Sequence, residues 1–265
     1  MKTLTATRRA AGLVLACACS LAAAEPETFY GHDPGLGNAL RLATHPQADA
    51  ARDAFLAHLA PGVATETFEV LAASPPAYAL RSLTLAFGTQ SATLEGWGLV
   101  MDSTTPSTAN PINGIPSGVY PISGRRAWLS ADDFTVSFGT PQVAFGFYGV
   151  DIGDFNGRLV LDLVHADQST TRLLASSGVQ DSGGSVQYFG VLSVDRPFVA
   201  VRFGNTAPSG YDGFAFDDLT LANAAQLSAV PEPAGALLLL AGLAALGART
   251  RRRLAMQARA MSPLG

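Results

Sequence analysis

From Thr65 to Leu221 the chain is a succession of short apolar and β-branched runs, nearly all closed by turn signals. The runs fall at 65–71, 80–87, 92–101, 127–129, 134–138 and 142–150, then at 158–164, 171–175, 186–194, 198–203 and 214–221. Between them stand Ser74-Pro75-Pro76, Gly139-Thr140-Pro141, Phe155-Asn156-Gly157, Ser182-Gly183-Gly184 and Asp195-Arg196-Pro197. Strands this short at this spacing predict an all-β sandwich or barrel. Residues 101–123 form a long loop rich in Pro, Ser, Thr and Gly, a length that usually serves function or motion. No internal repeat is visible.

One helix precedes the strands. Over 46–59, Ala48, Ala51, Phe55, Leu56 and Leu59 share one face, Thr44 and Pro46 suit the start, and Pro61-Gly62 ends it. An amphipathic helix here packs on the sandwich or offers a partner its apolar stripe. The organisation expected is a signal peptide over 1–24, a helical lead-in over 25–62, a β-sandwich over 63–228, a sorting tail over 229–255 and a cytoplasmic end over 256–265.

Both ends read as sorting segments. Lys2, Arg8 and Arg9 precede an apolar stretch, and Ala22-Ala23-Ala24 offers a cleavage site for signal peptidase before Glu25. Lipidation at Cys17 is a rival reading. At the other end, Val230, Pro231, Glu232 and Pro233 lead into the apolar run 234–248, then into Arg249, Arg251, Arg252 and Arg253. A helix over that run measures ~22 Å, short of the ~30 Å of a hydrocarbon core. It spans a bilayer only if the bilayer thins or the arginines snorkel. The arginines would stay cytoplasmic, with Pro231-Glu232-Pro233 outside the cytoplasm.

Composition excludes several chemistries. Both cysteines, Cys17 and Cys19, lie in the leader, so the exported body has neither disulfides nor a cysteine nucleophile. The body, 25–228, holds nine arginines, no lysine and twenty acids. That excess of acid repels nucleic acid and favours cations. There is no Gly-x-Ser-x-Gly elbow, His-Glu-x-x-His, phosphate loop or dinucleotide fingerprint. His32, His45, His58 and His165 are scattered, with no carboxylate at a suggestive offset, and read as surface or packing residues. A glycosidase needs only two carboxylates, which sequence does not pair.

The tail resembles the PEP-CTERM sorting signal of Gram-negative bacteria, which implies processing by an exosortase. Glu66-Thr67-Phe68-Glu69, the stretch from Phe145 to Asp154, Tyr188-Phe189-Gly190-Val191 and the stretch from Asp212 to Leu219 are similar to the bodies of secreted PEP-CTERM proteins. The Phe216-Asp217-Asp218-Leu219 strand also resembles the last strand of jelly-roll carbohydrate-binding modules. That likeness implies a jelly-roll-like sandwich, and a structural calcium joining Glu69 on the first strand to Asp217 or Asp218 on the last.

Two further sets of residues are candidates. Asp151, Asp154, Asp212, Asp217, Asp218 and Glu69 are the clustered acids; they either cap turns or give a hard cation its oxygens. Trp97, between two glycines, and Trp128, after Arg125-Arg126, are either core indoles or platforms for sugar rings. The arginine pair is a solvated edge or a contact for an anionic polymer. The reading is a non-enzymatic, exported surface or matrix protein, processed at its tail by an exosortase, with affinity for exopolysaccharide. A secreted polysaccharide hydrolase and an uncut, membrane-tethered structural domain are the alternatives.

Overall fold

The computed structural model describes residues 24–37, 40–74, 79–102, 118–130, 132–153, 157–175, 183–206 and 213–228. The leader, the tail with Val230 to Pro233 and the arginine cluster, most of the long loop, Asp154 and Asp212 lie outside them. Among the described residues no helix is long and apolar enough to cross a membrane.

The chain is mostly β. Its strands are β1 (Glu27–Asp33), β2 (Thr65–Glu66), β3 (Ala79–Phe87), β4 (Gln90–Asp102), β5 (Arg126–Ser130) and β6 (Phe134–Gln142). They continue as β7 (Ala144–Val150), β8 (Leu159–His165), β9 (Thr170–Leu174), β10 (Val186–Leu192), β11 (Phe198–Asn205) and β12 (Phe214–Ala222), with one helix, α1 (Pro46–Leu56). All the strand pairings described are antiparallel, in the order β1-β10-β7-β12-β5-β4-β6-β11-β8-β9, with β3 on β4 and β2 on β12.

The sheet curls at β4. Residues Ala92 to Gly96 of this strand pair with β6, while Leu99 to Asp102 pair with β5, so β4 belongs to two half-sheets. Period-two alternation then fills the space between the halves. Leu159, Leu161 and Leu163 of β8, Phe145 and Phe147 of β7, and Phe214 and Phe216 of β12 all enter one core. Phe134 stacks on Phe203 at 4.2 Å, and Phe147 and Phe216 meet that pair edge-on or tilted. Such ring pairs each add about 0.5–1.5 kcal/mol to simple burial.

The half-sheet of β1, β10, β7, β12 and β5 is buried on its other face too. There α1 places Ala48, Ala51 and Phe55 over Tyr148, Val150, Val186 and Tyr188. The helix sits close because the strands beneath carry glycine. A Cβ on Gly31 would lie 2.0 Å from the Gln47 carbonyl oxygen, and one on Gly190 2.7 Å from the Phe55 ring. No side chain of its own caps α1; the carboxylate of Asp33, at the end of β1, accepts from Gln47 N (3.2 Å) and Ala48 N (2.8 Å).

Three sequence expectations change. β1 occupies part of what reads as a helical lead-in. The helix ends at Leu56, because His58 and Leu59 donate to carbonyls three residues back and Leu59 then bridges to Leu227. The run 65–71 is a strand only at Thr65–Glu66. Phe68 turns to φ 60°, and the buried Glu66 carboxylate accepts from Phe68 N and Ala86 N.

Candidate ligand-binding face

The outer face of the second half-sheet is open. Strand register lines up one row of polar side chains across all six of its strands. Ser82 on β3 stands opposite Glu95 on β4, Glu95 opposite Thr135 on β6, and Thr135 opposite Arg202 on β11. Arg202 in turn faces Asp162 on β8, and Asp162 faces Arg172 on β9. These residues alternate with the core leucines and phenylalanines, which is why they share the solvent side.

A trough of about 360 Å³ follows this row, lined among others by Glu95, Asp133, Thr135, Arg202, Asn205 and Arg172. Its depth comes from Gly204, which follows Phe203 of the core and adds no side chain at the centre. A Cβ there would make only ordinary contacts, 3.6 Å from Asp133 Oδ1. Apolar side chains flank it: Leu80 opposite Trp97 on one side, and on the other Leu174 opposite Val160, which itself lines the trough. Leu80 is 69% exposed, Trp97 51% and Leu174 50%.

The charges in the trough are unequally committed. Arg172 holds Asp162 through two bonds, Nε to Oδ1 at 2.8 Å and Nη2 to Oδ2 at 2.9 Å, and keeps that carboxyl below its ordinary range. Arg202 makes no hydrogen bond or ion pair among the described residues. The arrangement offers carboxylates as acceptors, guanidinium and amide groups as donors, and apolar surfaces at both ends.

The structure separates the two tryptophans. Trp97 is the exposed indole of this face, two residues beyond Glu95 on the same side of β4. Trp128 is fully buried, packed edge-on against Phe134 at 6.1 Å, with its Nε1 unpartnered. Trp128 is therefore a core residue and no ligand platform, a correction to the sequence expectation. Alternation on β5 turns its indole inward.

The acids expected to share calcium do meet, though not as ligands. Glu69 lies past the end of β2, in a turn. Asp217 Oδ2 accepts from Ile122 N (2.8 Å) and Ser123 N (2.9 Å), and Oδ1 from Asp218 N (2.7 Å). Glu69 Oε1 accepts from Arg125 N (2.7 Å) and Arg126 N (2.6 Å), and Asp218 Oδ1 accepts from Ser123 Oγ at 2.6 Å. N–H groups aimed at the carboxylates supply the positive potential that a cation would bring, and they repel a cation. Among the described residues no three acidic, His or Cys side chains are grouped to hold a metal. The donor set does not fit calcium. Burial, then the charge of Asp218, pushes the Asp217 carboxyl up to about 8 despite its three N–H donors.

Asp151 caps a turn instead: its Oδ1 accepts from Gly184 N at 2.6 Å. Arg125 and Arg126 are engaged, Arg125 Nε with Asp102 at 3.0 Å and Arg126 Nη1 with the carbonyls of Glu69 and Leu71. Sequence reading missed one cluster. His45 and Asp49 are four apart on the α1 end, His45 Nδ1 lies 2.9 Å from Asp49 Oδ1, and Tyr148 Oη donates to the same oxygen at 2.5 Å. The offset of four was the available signal. Burial and the bond to Asp49 push the Tyr148 phenol up, so it stays neutral and ties α1 to β7. His165 is a packing residue, bonded to the Pro197 carbonyl and Thr171 Oγ1.

No family model and no curated protein matches the chain. Similar solved structures include the K2 cleaved adhesin domain of Lys-gingipain, at 12% identity and TM-score 0.35, over 60% of this chain and 96% of that one. The K3 cleaved adhesin domain of Lys-gingipain from Porphyromonas gingivalis w83 matches at 15% identity and TM-score 0.31, with the same coverage. The module TmCBM61, solved with β-1,4-galactotriose, matches at 11% identity and TM-score 0.23, over 60% of this chain and 94% of that one.

Proposed function

We propose that this is an exported, non-enzymatic surface or matrix protein that binds polysaccharide across the outer face of its second half-sheet. The observation that carries the reading is the trough over Gly204, with polar groups along it and Trp97 beyond one end. Hydroxyl-rich ligands satisfy fixed carboxylate and guanidinium groups, and an exposed indole gives a pyranose ring an apolar face. Successive strands from β5 to β8 alternate between the two halves, which supports a jelly-roll-like winding. The sorting reading rests on the tail: an exosortase acting at Pro231-Glu232-Pro233 would release the body from the inner membrane to the surface.

Affinity electrophoresis of the full-length protein through gels holding neutral or acidic polysaccharides tests the binding reading. Retardation by at least one polymer, reduced in Trp97→Ala, is expected. No retardation in any gel overturns it. Reducing ends released from a retained polymer would overturn the non-enzymatic part.

A further inference from the structure

The proposed polysaccharide site can be taken further, because its shape and charge restrict the ligand. The trough crosses five strands. It draws residues from β4, β6, β11, β8 and β9, with one position each from the outer strands β4 and β9 and four from the central β11. Four strand spacings of about 4.8 Å make ~19 Å, room for about four pyranose rings laid end to end.

Among the described residues neither end is walled. On one side the trough runs out past Glu95 toward Ser82 and the exposed Leu80 of β3; on the other it reaches Arg172 and the exposed Leu174 of β9. Beyond β3 and beyond β9 no further strand is described in this half-sheet. A site that recognises a chain terminus needs a closed end to stop it, and the described residues supply none.

Charge narrows the class. The described lining holds three acids, Glu95, Asp133 and Asp162, against two arginines; Arg172 is bonded to Asp162, and Arg202, opposite that carboxylate, also acts on it. The body around it carries nine arginines against twenty acids. A polyanion would be repelled at both scales, whereas sugar hydroxyls donate readily to Glu95 and Asp133.

We propose that the trough takes an internal stretch of an uncharged linear polysaccharide, lying across the strands from β4 to β9. This rests on the polysaccharide reading above. Gly204 supplies the decisive variant. Its outward Cβ position has space and its backbone is not left-handed, so Gly204→Val fills the trough with a residue that strands favour.

The test compares full-length wild type, Trp97→Ala and Gly204→Val in gels holding soluble β-glucan, galactan or dextran, and in gels holding alginate or polygalacturonate. Oligosaccharides of the best neutral polymer, graded in length, then compete for binding. Expected are retardation by a neutral polymer, loss of binding in Gly204→Val with an unchanged melting temperature, and weakening up to about tenfold in Trp97→Ala, the worth of one aromatic contact. Competitor strength should rise to about four rings and then level, unaffected by capping the reducing end. Retardation by the acidic polymers alone, full competition by a disaccharide, or sensitivity to the capped end overturns this inference and leaves the polysaccharide reading standing. Equal binding by a folded Gly204→Val puts the site elsewhere and overturns it as well. If Gly204→Val fails to fold, Thr135→Trp, on the same row, takes its place. No retardation by any polymer sinks both readings.

Discussion

Asp217 and Glu69 hold opposite ends of one segment, 122–126, the chain that enters β5. Asp217 accepts from the N–H groups of Ile122 and Ser123, and Glu69 from those of Arg125 and Arg126. Between them Gly124 turns at φ 56°, where a Cβ would lie 2.4 Å from the Glu69 carboxyl carbon. Asp217 is fully buried. Asp217→Ala would orphan three N–H groups and should cost roughly 3 kcal/mol, while Glu69→Ala, nearer solvent, should cost roughly 1 kcal/mol. Urea denaturation measures both. Because N–H donors occupy the oxygens, a chelator should leave the wild-type midpoint where it is. A midpoint that falls in chelator and returns with calcium would show that a cation holds these acids.

The strand runs from Leu80 onward were legible as short apolar and β-branched stretches closed by turn signals, and where one face is wet, as in β3, a period of two is written into the residues. β1 was not, because Glu27-Thr28-Phe29-Tyr30-Gly31-His32-Asp33 becomes a strand by pairing with β10, a partner far along the chain. The second core beneath α1 was equally hidden. Strands buried on both faces lose the alternation that marks them, as in β7, where all seven residues are buried. The ligand face depends on register. Glu95 and Arg172 come into one row only through three intervening strands, and nothing local in the sequence encodes that. The two tryptophans read alike because the side an indole faces depends on its strand's place in the sandwich.

The Asp217–Asp218 pair should leave a mark on the pH dependence of stability. Burial raises both carboxyls above the ordinary 3.8, Asp217 to about 8. A carboxyl raised on folding contributes stability in full below its unfolded value, and loses it as pH climbs through the folded value. The melting temperature should therefore fall between about pH 4 and pH 8. Asp218→Asn removes the neighbouring charge, and Asn tolerates the φ of 49° at this bulge. That variant should flatten the slope. Asp162, lowered by Arg172, acts with the opposite sign and below pH ~4, outside this window. A wild-type melt that is flat across the window would refute the buried-pair account.

The two tryptophans should separate in stability as they do in burial. Trp128→Ala removes a fully buried indole packed on Phe134, and should cost about 3–5 kcal/mol. Trp97→Ala, on the open face, should stay within about 0.5 kcal/mol of wild type. Gly98→Ala should behave like the core change, since its Cβ would lie 2.3 Å from the Trp128 ring. Chemical denaturation of the three variants gives the comparison. A Trp97→Ala variant as unstable as Trp128→Ala would remove Trp97 from the ligand face.

Processing at the tail is tested on intact protein. Proline on both sides of Glu232 fixes φ and removes two N–H donors, which sets the motif apart in the sequence from the apolar run that follows. On the sorting reading an exosortase acts at this motif while Arg249, Arg251, Arg252 and Arg253 stay on the cytoplasmic side. In wild-type cells the surface form should begin at Glu25 and lack the arginine cluster, which intact mass measures directly. Pro231→Ala with Pro233→Ala removes the motif and should leave uncut precursor in the inner membrane. Release of the double variant at the wild-type mass and rate would overturn the sorting reading, and a surface form that keeps its arginines would favour a permanent tether.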